Sequence, residues 1–234
     1  MNGAPAFAAG HELLDEPTAD PARVTTSLGN IARANRWFGG TRAALYGIDR
    51  VLAGHAPGPA SLLDIGTGAG DLPRAAARRA RRRGIELRTF GLERHPAAAR
   101  LARGNAIEVI LGCAGALPFA THSVDIALIS QVLHHLDAVS ARELLVNADR
   151  IARRGVVVAD LRRSRMAPML FRAGAALLRF DPDTRADGVT SIGRGYTTVE
   201  LRKLCAAAGI RASVGTRPGF RVVAWWRTDA MEAR

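Results

Sequence analysis

Leu62-Leu63-Asp64-Ile65-Gly66-Thr67-Gly68-Ala69-Gly70-Asp71 is the stretch whose residue types and spacing most narrowly define a chemistry. An apolar run ends in an acid and passes into a turn with glycine at every second position. Glycine lacks a Cβ, so such a turn takes backbone angles that other residues resist and lets a ligand press on the main chain. A dinucleotide-binding turn has glycines in the order G-x-G-x-x-G, the third letting helix and strand close around a pyrophosphate. Here that third position is Asp71. A carboxylate at the mouth of a helix repels a diphosphate and suits a ligand carrying an ammonium or sulfonium group.

A second acid, Glu93, closes the run Ile85–Glu93 at the place where open α/β sheets put a ribose-binding carboxylate. It supports an adenosine-type ligand without deciding which. Farther along, His134 and His135 follow the apolar run 123–129, and Asp160 ends the run 155–160. No carboxylate or cysteine stands at ligand spacing from the two histidines except Asp137, so no metal site is expected there.

These residues need a scaffold, and hydrophobic periodicity supplies one. Helical spacing over 22–35 and 41–53, broken at Gly39-Gly40, predicts two N-terminal helices, and Pro57-Gly58-Pro59 closes that prelude. Strands are then expected at 61–65, 85–92, 106–111, 123–129 and 155–160, alternating with helices at 71–83, 96–103 and 139–152. Such alternation implies right-handed crossovers and a parallel sheet. A helix at 197–208 and the runs 210–216 and 219–227 complete it. Between residues 160 and 197 lies an insert whose first part, Met166 to Phe180, is apolar on most faces with arginines spaced apart; it reads as a lid over an apolar pocket, a membrane-surface segment being the rival. The resulting expectation is a doubly wound, seven-stranded, mostly parallel α/β sheet. Residues 1–20 form a flexible start and 21–234 one domain, with cap elements from 21–56 and 162–196.

Composition narrows the classes. The 234 residues are 48% hydrophobic, enough for one sizeable core. The net charge of +12 comes almost wholly from arginine and tempts one toward nucleic acid, but the run Arg78 to Arg83 lacks neighbouring aromatic residues and reads as a solvated helix face. No nucleic-acid partner is expected. Two cysteines, Cys113 and Cys205, are too few for a disulfide framework and fit a reducing cytoplasm. The first ten residues have no basic n-region and no apolar run reaches bilayer length, so no stable membrane insertion is expected. The oligomeric state is not legible.

The glycine turn, Glu93, Gly112 to Phe119, Ser123 to Leu128 and Val132 to Leu136 follow one another in an order that resembles class I S-adenosylmethionine-dependent methyltransferases, in the small-molecule branch related to ubiquinone and menaquinone methyltransferases. The likeness covers about residues 60 to 226 and implies a Rossmann-like methyltransferase sheet with S-adenosylmethionine as cofactor. By that resemblance, main chain at Gly66, Thr67, Gly68 and Gly70 holds the methionine end, Asp64 and Asp71 answer its ammonium, and Glu93 takes the ribose. Arg94 flanks the adenine, Cys113 and Ala114 line its edge, and Ser130 and Gln131 close the pocket. Relatives often carry an Asp where Cys113 stands, and a thiol replaces it poorly as an acceptor. Asn35 to Gly40 and Asp187 to Thr197 are similar to segments of methyltransferases acting on phenolic or polyketide products.

The resemblance implies methyl transfer to a small apolar acceptor, first of all a phenolic or polyketide-type hydroxyl. Carbon methylation of a quinone precursor or polyketide ring is the rival, and nucleic-acid methylation a more distant one. A phenol has a pKa near 10, so a histidine at its hydroxyl would raise the reactive fraction at neutral pH. Adjacent histidines on a helical turn diverge by about 100°, so one is expected to enter the pocket, and His135 is taken as the base ahead of His134. Asp160 is expected to orient His135 or the substrate, or to cap the next helix. Arg36, Arg194 and Tyr196 are candidates for binding the acceptor, with Trp37 and Phe171 as apolar walls.

Overall fold

A computed structural model describes residues 12–16 and 18–228. Residues 1–11, part of the expected flexible start, lie outside the described residues.

The elements run α1 (Pro21–Trp37), α2 (Gly40–Val51), β1 (Gly58–Ile65), α3 (Asp71–Arg81), β2 (Ile85–Glu93), α4 (Pro96–Gly104), β3 (Glu108–Leu111), β4 (Val124–Ser130), α5 (Ala138–Ile151), β5 (Ala152–Leu161), α6 (Ala167–Leu177), α7 (Pro182–Arg194), α8 (Thr198–Ala207), β6 (Ser213–Arg217) and β7 (Arg221–Arg227). The strands form one sheet in the order β3-β2-β1-β4-β5-β7-β6. The strands from β3 to β5 pair in parallel, while β7 is antiparallel to both β5 and β6. This is the expected seven-stranded α/β sheet.

Strand β4 (VDIALIS) is buried along its whole length. That is what a central strand covered by helices on both faces demands, and it explains the unalternating apolar run. On one face Leu63, Ile65, Ile129, Val156 and Val158 meet Leu144, Leu145 and Ala148 of α5 and Leu201 and Cys205 of α8. On the other, Leu62, Ile126, Leu128 and Val157 meet Ala44 and Ile48 of α2 and Leu72 and Ala76 of α3. The register places Asp64 beside Gly91 and Leu128, and Ser130 beside Ala159. The carboxyl ends of β1, β2, β4 and β5 therefore share one edge, the edge where open α/β sheets bind ligands.

Strand β1 starts three residues earlier than expected. Gly58–Ala60 pair only with Ile85–Leu87 of β2, because β4 joins β1 from Leu62 onward. Pro59, which has no N–H, thus sits where one side of the strand needs no donor.

The larger correction concerns the start of the described chain. Instead of a loose segment up to residue 20, Leu13–Asp15 forms a 3-10 turn, and Leu13 and Ala19 are buried with Val24 and Leu28 of α1 and Ala97 and Ala98 of α4. Its leucines fill a gap that only the folded sheet creates, and its acids meet cations from distant elements. Neither leaves a local period.

Candidate active site

A cavity of about 570 Å³ lies at the shared carboxyl edge. The ends of β1 and β2 and the start of α3 form one half, lined by Asp64, Glu93 and Asp71; Leu161 at the end of β5, Leu170 and Phe171 of α6 and Ile192 of α7 form the other. The cavity is acidic at one end and apolar at the other.

Gly66, Gly68 and Gly70 adopt φ of 76°, 54° and 75°. A Cβ on Gly66 would stand 2.6 Å from Val132 Cγ2, and one on Gly70 2.7 Å from Ile107 Cγ1. Both angle and space require glycine. The turn is tied to β2 from beneath: the N–H groups of Gly66 and Thr67 donate to the Leu92 carbonyl at 2.8 and 3.2 Å, and Gly68 N–H donates to Glu93 Oε2 at 2.9 Å. Glu93 Oε1 accepts from the His95 N–H at 2.9 Å. Each Glu93 oxygen keeps a further lone pair for a ligand hydroxyl.

Asp64 is buried; its Oδ2 accepts from the Thr67 hydroxyl at 2.9 Å, while its Oδ1 has no hydrogen-bond partner. Burial pushes the Asp64 carboxyl up to about 7, and the charges of Asp71 and Glu93 add to the rise. Burial also raises Asp71, whose Oδ2 accepts from the Asn35 amide at 3.2 Å. Asn35 Oδ1 in turn accepts from Gln131 Nε2 at 2.7 Å, and Gln131, at φ 56°, accepts from the buried Arg221 at 3.0 Å. Burial lowers that guanidinium to about 10. Three crowded carboxylates, with neutral partners at Asp64 and Asp71, favour a cationic ligand.

Both histidines line the cavity, from a 3-10 turn at Leu133–His135. The tighter turn leaves the ring centroids 4.2 Å apart with a 35° tilt, so neither points away. His134 is buried and its Nδ1 lies 2.6 Å from Asp160 Oδ1, which also accepts from the Leu161 N–H at 2.7 Å. Burial pushes the Asp160 carboxyl up, but His134 and these hydrogen bonds outweigh it and hold the group below the usual range. His135 is engaged elsewhere: its Nδ1 is 3.3 Å from Asp15 Oδ1 and its Nε2 3.7 Å from Glu12 Oε2. Burial disfavours its charge, yet Asp15, Glu12 and the nearby charge of Asp160 together win and raise its pKa.

Residues 63–159 match the family model described as a methyltransferase domain. That span is a methyltransferase domain, set in the fold shared by S-adenosylmethionine-dependent methyltransferases. A SAM-dependent methyltransferase from Aquifex aeolicus has 16% identity and a TM-score of 0.58, with 89% of this chain and 98% of that one covered. A putative O-methyltransferase from Nostoc punctiforme has 20% identity and a TM-score of 0.62, covering 94% and 64%. Human N-acetylserotonin methyltransferase, solved with SAM, has 15% identity and a TM-score of 0.64, covering 93% and 59%. The chain thus spans under two thirds of the last two proteins. No curated protein matches it significantly.

Within the methyltransferase cavity stand Asp64, Gly66, Thr67, Gly68, Asp71, Glu93, Arg94, Cys113, Ala114, Ser130 and Gln131, along with Trp37 and Phe171. Gly70 does not line the cavity, although its neighbours Ala69 and Asp71 do. Arg94, expected to flank the adenine, lines the cavity and donates to the Leu14 carbonyl at 3.0 Å and to Asp15 at 3.2 Å. The Ser130 hydroxyl donates to the Ala159 carbonyl at 3.3 Å. Three acceptor-site candidates are not in the cavity wall. Arg36 is exposed and stacks on Trp37, because it falls on the outer face of α1. Arg194 pairs with Glu12 at 3.1 Å and Asp15 at 3.6 Å, partners invisible from its own segment. The Tyr196 hydroxyl donates to the Leu133 carbonyl at 3.2 Å, bracing the histidine turn, and burial raises its pKa. Asp160 holds His134, neither orienting His135 nor capping α6, whose N-cap is Met166.

Residues that sequence reasoning missed come from far along the chain. Glu12 brings a carboxylate within 4.8 Å of both histidines, a metal-like grouping that local spacing excluded. Its members are already paired with Arg194, Asp15 and Asp160, which describes an ion-pair cluster. Arg221 left one signal, a lone charge opening the apolar run 221–226.

Proposed function

We propose that this methyltransferase transfers a methyl group to the hydroxyl of a small, apolar, phenolic or polyketide-type acceptor, with His134 as base and Asp160 as its positioning residue. The observation that carries this reading is the buried 2.6 Å His134–Asp160 pair in the wall of a cavity whose adjoining end is apolar. Asp160 on Nδ1 leaves Nε2 as the ring nitrogen for an acceptor proton, the arrangement by which a carboxylate fixes a histidine tautomer.

The site suits the cofactor. The orphaned Asp64 Oδ1 and the raised Asp64 and Asp71 carboxyls call for a cation, and the glycine turn exposes main chain that any Cβ would crowd. Asp64 and Asp71 would answer the ammonium of S-adenosylmethionine, Glu93 the ribose hydroxyls, and Cys113 and Ala114 the adenine edge. When bound, the cofactor supplies an electrophilic methyl group on a sulfonium. The chain's own residues do the rest: Trp37, Phe38, Leu161 and Phe171 exclude water and align the ring, and His134 takes the hydroxyl proton.

Cofactor affinity is expected to depend on pH through Asp64. The carboxyl of the free enzyme titrates near 7, and a cationic ligand favours its ionised form, so binding releases a proton below that pH. Affinity should be full above neutrality and fall by up to about tenfold per pH unit beneath it. Calorimetry in buffers of differing ionisation enthalpy would measure the proton, and Asp64→Asn should abolish the dependence; an unchanged profile removes Asp64 from the ammonium site.

The acceptor reading is tested by incubating the enzyme and S-adenosylmethionine with a panel of phenols and mapping the new methyl group by mass and position. A methyl ether on an apolar phenol supports it. A methyl group on ring carbon, or none on any phenol, sinks it.

A further inference from the structure

Helix α6 is apolar on its solvent face as well as on the face it packs inward through Ala167, Phe171 and Ala175. Met166 (57% exposed), Met169 (60%), Leu170 (46%) and Leu177 (84%) face solvent, with Ala173 exposed among them. Their spacing of three and four residues from Met166 puts them on one stripe. Beside the stripe stands Trp37 at the end of α1, 61% exposed. The two helices are joined here: Phe38 meets Phe171 edge-on at 5.9 Å, and Arg33 donates to the Leu178 carbonyl. A cluster of this kind on the surface marks an interaction site.

The two segments that supply this face carry charge of one sign. No Asp or Glu occurs between Pro21 and Ile48 or between Leu161 and Phe180, the stretches that supply this face. Arg33, Arg36, Arg165, Arg172 and Arg179 are all exposed there. A second copy of the chain would bring the same patch against itself under twofold symmetry and set arginine against arginine. An anionic lipid surface answers both features, taking the apolar side chains into its acyl boundary and the guanidinium groups at its headgroups. Trp37 and Leu170 are at once exposed and part of the cavity wall, so the cavity's apolar end opens within the patch.

We infer that the α6 stripe and Trp37 dock the enzyme on an anionic bilayer, so that a lipid-soluble acceptor passes from the membrane into the apolar end of the cavity. Passage of the acceptor rests on the function proposed above; docking does not. No helix among the described residues is long and apolar enough to cross a membrane, so attachment is peripheral.

Sedimentation with phosphatidylcholine vesicles, with and without phosphatidylglycerol, tests this directly. The protein should bind the anionic vesicles, release them as salt rises, and bind the neutral ones far more weakly. The double variant Met169→Asp with Leu177→Asp, which leaves the cavity lining intact, should lose affinity by roughly tenfold or more. Its S-adenosylmethionine affinity, read by calorimetry, should match the parent and report that it is folded. Absence of binding to anionic vesicles, or equal binding by the double variant, overturns the inference. So does a parent dimer that the double variant turns into a monomer, since the patch would then belong to a second copy. If vesicles bind but no phenol is methylated, docking stands and the acceptor proposal fails.

Discussion

His134→Ala should slow methylation of a phenol of ordinary acidity by roughly 10²- to 10⁴-fold, the range supplied by a positioned general base, with cofactor affinity unchanged. The same change at His135 should cost far less, because that ring is committed to Asp15 and Glu12 while Asp160 holds His134. Asp160→Asn should act in the same direction as His134→Ala, since an amide can present its N–H to Nδ1 and favour the wrong tautomer. A packing role makes a different forecast. An acceptor already ionised at assay pH needs no base, so its turnover should be nearly the same in parent and His134→Ala enzymes. If both classes of acceptor are slowed equally, His134 shapes the cavity and is not the base.

Glu93→Ala should weaken S-adenosylmethionine binding by roughly ten- to a hundredfold and lower stability by about 1–3 kcal/mol through buried donors left unpaired. Two effects combine. The carboxylate brackets the N–H groups of Gly68 and His95, so its loss frees the glycine turn as well as the ribose site. Glu93→Gln separates them: one oxygen still accepts, but the amide N–H₂ faces a main-chain donor where the second oxygen stood. Calorimetry and thermal denaturation together decide the matter. A lowered melting temperature with unchanged affinity would make Glu93 a brace for the turn only.

Most of the sheet was legible because its signals are local. The apolar run at the centre of β4, the helix-period segments and the glycine turn each carry their cause within about ten residues, and they lie within three residues of where periodicity placed them. The cofactor end was legible for the same reason, since Asp64 to Asp71 and Glu93 mark it through type and position. The acceptor end was not. Choosing between His134 and His135 required knowing that Asp160 reaches the first and Asp15 the second, contacts that span 26 and 120 positions. Arg194 and Tyr196 were misjudged because a side chain's partner, not its chemistry, decides whether it faces a ligand. The order of Leu13, Leu14 and Ala19 was missed because it is borrowed from α1, α4 and α7.

The cavity draws its two ends from different classes of chain segment. The acidic end belongs to turns leaving the sheet strands, whose angles and spacing tolerate little change. Much of the apolar end comes from α1, α6 and α7, which lie outside the sheet. Selection can therefore rewrite those three helices, and with them what is modified, without rebuilding the donor seat. A lineage founded on this scaffold is free to diversify its products while inheriting one unaltered reagent.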